Sequence, residues 1–239
     1  MPIFENQIAL VTGASGGIGG AIATELVAKS ATVYLVGRNE KKLNALSQGL
    51  GPKTISYVVD LTHDETIDSL IEDVKSRFGR LDVLVHSAGS IAHEKLTAAP
   101  VQTLDQQYAT NIRGPYRLTQ GLLPLLKSPR GQIVFINSSV GLNPSASAGQ
   151  FSMTQHAFKA MADVLRDNVN ADGIRVMSVF PGRTATRRTA QLIRNEGNIF
   201  NPELLLQPED IASVVVHCLS LPWTAEVTNI QVRPMMKSY

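Results

Sequence analysis

The feature that most constrains this chain is an alternation. Short, largely β-branched apolar runs recur along it, and longer amphipathic segments separate them. The runs are Ile8–Val11, Thr32–Val36, Ile55–Val59, Val83–Val85, Ile133–Ile136, Arg175–Val179 and Val227–Val232. Bracketed by turn residues and continuously apolar, they read as parallel strands buried on both faces. The 3.6-residue pattern predicts helices over Gly17–Lys29, Glu40–Gln48, Glu65–Arg77, Thr103–Leu126, Gly149–Asn170 and Pro208–Leu219. The last has Pro208 at its first helical position, with Glu209 and Asp210 in the electropositive first turn. The expected fold class is therefore α/β: a Rossmann-type, doubly wound parallel sheet of about seven strands with helices on both faces.

A length of 239 residues favours a single domain spanning 1–239, and no repeat or Pro/Gly/Ser-rich linker marks a boundary. The hydrophobic fraction of 44 % suits a packed core. A net charge of +2 without a basic stripe excludes nucleic acid as an expected partner. Cys218 is the lone cysteine, which rules out an internal disulfide and a cysteine-based metal cluster. The N-terminal residues lack a basic, cleavable leader, and no apolar stretch approaches the ~18 residues that span a bilayer. A cytoplasmic setting without a membrane partner is the expectation.

In such sheets ligands bind beyond the carboxyl ends of the strands. The first strand is followed directly by Thr12-Gly13-Ala14-Ser15-Gly16-Gly17-Ile18-Gly19, which opens a helix. A glycine turn there presents backbone N–H groups to a pyrophosphate, and the helix N-terminus stabilises its charge. A tight strand-to-helix turn without a ligand is the plainer alternative. The spacing Thr-Gly-x-x-x-Gly-x-Gly resembles that of the short-chain dehydrogenase/reductase family, and the resemblance runs nearly the whole chain. Asp60-Leu61 matches the family's adenine-contacting Asp. His86-Ser87-Ala88-Gly89 keeps the Ala-Gly half of the family's Asn-Asn-Ala-Gly, and Asn111, Ser138-Ser139 and Pro181-Gly182 fall in family order. The ending from Ile230 through Ser238-Tyr239 is similar to a subgroup acting on small carbonyls or 3-hydroxy acids.

At the end of the second strand an acidic residue would accept from a ribose 2′-OH and repel a 2′-phosphate. This chain has Gly37-Arg38-Asn39 instead, so NADP(H) is expected over NAD(H), with Arg38 on the phosphate. A merely solvated Arg38 is the alternative, because the glycine turn has Gly16 where many NADP(H) binders place a second basic residue. The resemblance implies cofactor contacts from Gly13, Ser15, Gly17, Ile18, Gly19, Asp60, Leu61, Ala88, Gly89, Pro181, Gly182 and Thr184, the last three at the nicotinamide carboxamide.

The resemblance also implies a Tyr-x-x-x-Lys pair on the fifth helix: Tyr gives the proton, Lys lowers its pKa and holds the nicotinamide ribose, and Ser and Asn assist. The matching helix reads Gly149-Gln150-Phe151-Ser152-Met153-Thr154-Gln155. Ser139 lies twelve residues before Phe151, the family's usual separation, so Tyr maps onto Phe151 and Lys onto Gln155. Phenylalanine has no proton to give, and glutamine has no charge. Ser139, ahead of Ser138, and Asn111 remain as the supporting residues, and the Gln155 amide can still reach a ribose hydroxyl. The change is consistent with natural drift or with deliberate inactivation, and the departure at His86-Ser87 favours drift.

The expected function is an NADP(H)-binding oxidoreductase acting on a small-molecule carbonyl or alcohol, with turnover slow or absent. A non-catalytic interaction or regulatory protein on the same fold is the alternative. A third course is another donor. His156 points away from the catalytic face, His86 reads as a structural hydrogen bond, and His93 is the best substitute. No histidine spacing suggests a metal site. Asn111 also reads as a polar residue at a helix bend, and Asn137-Ser138-Ser139 as a chance glycosylation sequon. Arg187–Leu206 reads as a substrate lid in which Arg187, Arg188 and Arg194 form a solvated face, with contact to an anionic substrate as the alternative. Association through the fourth and fifth helices into a homodimer or homotetramer is expected from the family.

Overall fold

The computed structural model describes residues 3–236. Seven parallel strands form one sheet in the order β3-β2-β1-β4-β5-β6-β7. They are β1 (Ile8–Thr12), β2 (Thr32–Gly37), β3 (Thr54–Val58), β4 (Val83–His86), β5 (Gln132–Ile136), β6 (Arg175–Pro181) and β7 (Asn229–Val232). The order reverses between β1 and β4, so the connections leaving their carboxyl ends part to opposite sides and open a crevice. The expected seven-stranded, doubly wound single domain is what forms.

Successive strand residues point to opposite faces, and the core divides accordingly. Ala9, Val11, Val33 and Leu35 pack with α1 (Gly17–Ala28), α2 (Glu40–Leu50) and α8 (Pro208–Leu219). Leu10, Tyr34, Leu84 and Ile133 face the opposite layer, made of α3 (Asp64–Phe78), α5 (Gly114–Lys127) and α6 (Gly149–Val169). Wholly buried residues such as Leu70 and Leu118 each contribute roughly 1.5–3 kcal/mol. Pro208 opens α8 as expected, and Asp210 accepts from the Gln207 amide at 2.8 Å.

Two stretches differ from the sequence expectation. The helix expected over 103–126 is interrupted: α4 (Val101–Tyr108) passes through a π-turn at Ala109–Arg113 before α5. A π-turn inserts a residue into the helical ladder and is a frequent mark of functional sites. Here it carries Asn111, the residue read as sitting at a bend. Just beyond it, Gly114 lets the helix approach Leu61 so closely that a Cβ would collide with the Leu61 carbonyl oxygen. The lid stretch, assigned no element from sequence, contains α7 (Arg187–Asn195), capped by the Thr186 hydroxyl, which accepts from the Thr189 amide at 3.2 Å. Ala190 and Ile193 bury its apolar face. Ser238 and Tyr239 lie outside the described residues.

Candidate functional site

The carboxyl ends of the strands open into a cleft of about 1380 Å³. Gly13, Ser15, Gly17, Ile18, Gly19, Arg38, Asp60, Leu61, Ala88, Gly89, Asn111, Ser139, Phe151, Gln155, Pro181, Gly182 and Thr184 all line it. Side chains scattered over most of the sequence are thus brought to one surface by the topology.

The glycine turn is built for close approach. Gly13 adopts φ +70°, and a Cβ there would lie 2.8 Å from the Ser87 carbonyl and the Ala88 amide. At Gly19 a Cβ would lie 2.6 Å from the Gly13 carbonyl oxygen. Thr12 ties this turn to the loop after β4: its hydroxyl accepts from the Ser87 and Ala88 amides at 3.1 and 3.2 Å. The turn leads into the N-terminus of α1, where unsatisfied N–H groups favour an anion.

At the end of β2 the Arg38 side chain is 63 % exposed and lies 4.0 Å from Asp60. Burial raises the Asp60 pKa, but hydrogen bonds from the Thr62 amide and hydroxyl (3.0 and 2.8 Å) and the Arg38 charge outweigh it. The carboxyl is therefore held below its ordinary range. Lys42, not singled out from sequence, lines the same end.

At the other end of the cleft, Phe151 and Gln155 lie one turn apart on α6. Gln155 is buried, and its backbone carbonyl accepts from Asn137 Nδ2 at 3.0 Å. That engagement and its own burial place Asn137 in the structural frame, in keeping with a chance sequon. Asn111 is fully employed: its Oδ1 accepts from the Ser90 amide (2.7 Å), and its Nδ2 donates to the Ser90 carbonyl (2.8 Å) and Thr154 Oγ1 (3.0 Å). The Ser138 hydroxyl accepts from the Val140 amide at 3.4 Å. Ser139 Oγ has no such engagement among the described residues, which leaves it available to a ligand. Lys159, the next lysine along α6, pairs with Asp163 at 2.6 Å.

The histidines separate by position. His86 is wholly buried between Phe135 and Phe158, with Nε2 2.8 Å from Thr119 Oγ1; burial lowers its pKa to about 3. His156 is exposed. His93 lines the cleft with Nδ1 3.3 Å from Glu196, which also accepts from Arg183 Nη2 at 2.9 Å. Sequence reasoning missed Arg183 and Glu196, because their partner in the loop after β4 is distant in the chain. Arg188 is exposed, in keeping with the solvated face read from sequence, but its Nη2 also donates to the Gly89 carbonyl at 2.7 Å, a contact the sequence did not suggest. No group of three or more His, Cys, Asp or Glu among the described residues is arranged to hold a metal ion. No described helix is long and apolar enough to cross a membrane.

Comparison with known proteins agrees with this architecture. The short chain dehydrogenase family matches residues 7–197. An uncharacterized oxidoreductase of Staphylococcus epidermidis is 34 % identical over 232 residues, covering 97 % of this chain and 98 % of the relative. A short chain dehydrogenase from Shigella flexneri, solved with NADP, superposes with a TM-score of 0.88 at 29 % identity, covering 96 % of this chain and 98 % of the other. A counterpart from Escherichia coli, solved with NADPH, gives the same TM-score, identity and coverage. With four-fifths of its length matched and the relatives aligned end to end, this chain belongs to the short chain dehydrogenase family of oxidoreductases.

Proposed function

We propose that this chain holds NADP(H) in the cleft, in preference to NAD(H), and that its turnover of small carbonyl or alcohol substrates is slow or absent. One observation carries the reading: the face of α6 that lines the cleft presents Phe151 and Gln155, at the positions where the family resemblance expects Tyr and Lys. No tyrosine lines this cleft among the described residues.

The cofactor fits the residues present. Gly13, Ser15, Gly17, Ile18 and Gly19 leave a bare amide surface at the N-terminus of α1 for the pyrophosphate. Asp60 and Leu61 meet the adenine, with Ala88 and Gly89 beside them, and Arg38 takes the 2′-phosphate. Pro181, Gly182 and Thr184 meet the carboxamide, and the Gln155 amide meets a ribose hydroxyl. The NADP and NADPH in the Shigella and Escherichia coli structures support the same cofactor here. When bound, the nicotinamide supplies or accepts a hydride. This chain's own residues position the carbonyl: the free Ser139 hydroxyl donates to its oxygen, and Asn111 holds the loop after β4 against Thr154 of α6. What they lack is the proton. Positioned proton transfer contributes ~10²–10⁴-fold, and the donor and its activator are absent together.

The whole chain acts as one binding domain, with 187–206 as its lid. Tyr108, Tyr116, Met153 and Val164 expose apolar surface on α4, α5 and α6, which supports association into a homodimer or homotetramer through these helices. A second reading is favoured by His93, whose imidazole lines the cleft against Glu196: it protonates the substrate in place of a tyrosine. The test is a fluorescence titration with NADPH and NADH, followed by the absorbance of the reduced nicotinamide over a panel of carbonyls. Saturable NADPH binding without consumption is expected. Rapid consumption refutes the impaired site, and His93→Ala then decides the second reading; no binding refutes the cofactor.

A further inference from the structure

Arg188 is one of three arginines that α7 brings to the cleft, and it reaches across the opening. Its Nη2 donates to the Gly89 carbonyl at 2.7 Å, on the wall built by the loop after β4. Two residues earlier, the lid rests on the phosphate turn: a Cβ at Gly17 would lie 2.7 Å from Thr186 Cγ2. Arg188 is thus fixed at its head by Gly89 and at its base by the Thr186 contact, beside the N-terminus of α1. Among the described residues it pairs with no carboxylate. A guanidinium carries five N–H donors, and the Gly89 carbonyl takes one of them. Solvent reaches the group, yet the protein crowding it, and then the Arg38 charge, pull its pKa below the ordinary guanidinium range. Among the described residues Arg38 pairs only with Asp60, at 4.0 Å. Arg38 thus has one carboxylate at the edge of ion-pair range and Arg188 none among the described residues, and an anion between them relieves their repulsion and occupies the spare donors.

We propose that Arg188 is a cofactor-binding residue carried by the lid, clamping the pyrophosphate of the dinucleotide against the N-terminus of α1. The proposal rests on the cofactor reading above and divides its phosphate recognition in two. Arg38 distinguishes NADP(H) from NAD(H) at the 2′-phosphate. Arg188 grips the pyrophosphate that both share, and so couples cofactor binding to the seating of α7.

The experiment measures NADPH and NADH affinity for wild type, Arg188→Met, Arg188→Lys and Arg38→Met. Alongside it, amide hydrogen exchange is followed over residues 186–196 with and without nucleotide. Arg188→Met is expected to weaken both nucleotides by a common factor, roughly ten- to a hundredfold, while Arg38→Met weakens NADPH alone. Nucleotide slows exchange over 186–196 in wild type and fails to do so in Arg188→Met. Wild-type affinity in Arg188→Met overturns the proposal, and a loss confined to NADPH overturns the pyrophosphate assignment. If Arg188→Met loses stability without ligand, Arg188→Lys carries the test, because loss of the planar fork must weaken both nucleotides equally. Failure of the underlying cofactor reading is distinguishable: wild type then binds neither nucleotide.

Discussion

Placing a hydroxyl and an ammonium on α6, as Phe151→Tyr with Gln155→Lys, tests the central proposal by gain rather than loss. Phe151 is half-buried on the cleft wall, so the added oxygen enters the cleft and costs little stability. Gln155 is 5 % exposed, and an ammonium there loses hydration. Its pKa falls, and stability drops by roughly 1–3 kcal/mol. Phe151→Tyr alone gives a phenol near its ordinary pKa of about 10, a weak acid at neutrality, and gains less than the pair. Gln155→Lys alone gains nothing. The double variant should raise kcat/KM by roughly 10²–10⁴, equivalent to about 3–5 kcal/mol off the barrier. Because the two groups act as a unit, the gain exceeds the product of the single gains. The assay follows oxidation of NADPH with a panel of small carbonyls, with nucleotide affinity measured in parallel. An unchanged rate in a double variant that still binds NADPH refutes the reasoning. So does a wild-type rate already equal to that of the double variant.

Gly13→Ala sets a Cβ 2.8 Å from backbone atoms of Ser87 and Ala88 at a φ of +70°. Urea unfolding should show a loss of roughly 1–3 kcal/mol, and NADPH titration should show no binding. His86 has a folded pKa of about 3 against an ordinary 6.5, the cause being burial. Its contribution is complete above pH 6.5 and is lost as pH falls from there toward 3, because the unfolded chain takes up the proton first. Urea unfolding at stepped pH should therefore fall more steeply below pH 6.5 for wild type than for His86→Asn, and equal slopes would contradict this. Removing the carboxylate from the His93 cluster, as Glu196→Gln, should loosen α7 and speed its amide exchange; unchanged exchange would show that the Glu196 carboxylate does not help to seat α7.

The legible parts of this protein were those written in contiguous residues. The five inner strands are apolar on both faces and showed directly, with ends displaced by a residue or two, whereas the edge strands β3 and β7, also read as buried, have a neighbour on one side only and stay half-buried or exposed. The glycine turn was equally plain, because a close backbone approach admits few residue types. The break at Asn111 was visible only as a polar residue in an apolar pattern, since a π-turn keeps helical periodicity on either side. The helix α7 was hidden by its charge: burial of Ala190 and Ile193, rather than propensity, holds Arg187–Asn195 together.

The amino-acid order alone determined the sheet, its two helical layers, the glycine turn and the absence of a hydroxyl at Phe151 and a charge at Gln155. These depend on residue type and short-range spacing. Tertiary structure alone decided which charges meet. Arg188 and the Gly89 carbonyl are ninety-nine residues apart, and no local pattern encodes that contact. His93, Arg183 and Glu196 likewise come together only because the crossovers carry the loops after β4 and β6 to the same end of the sheet.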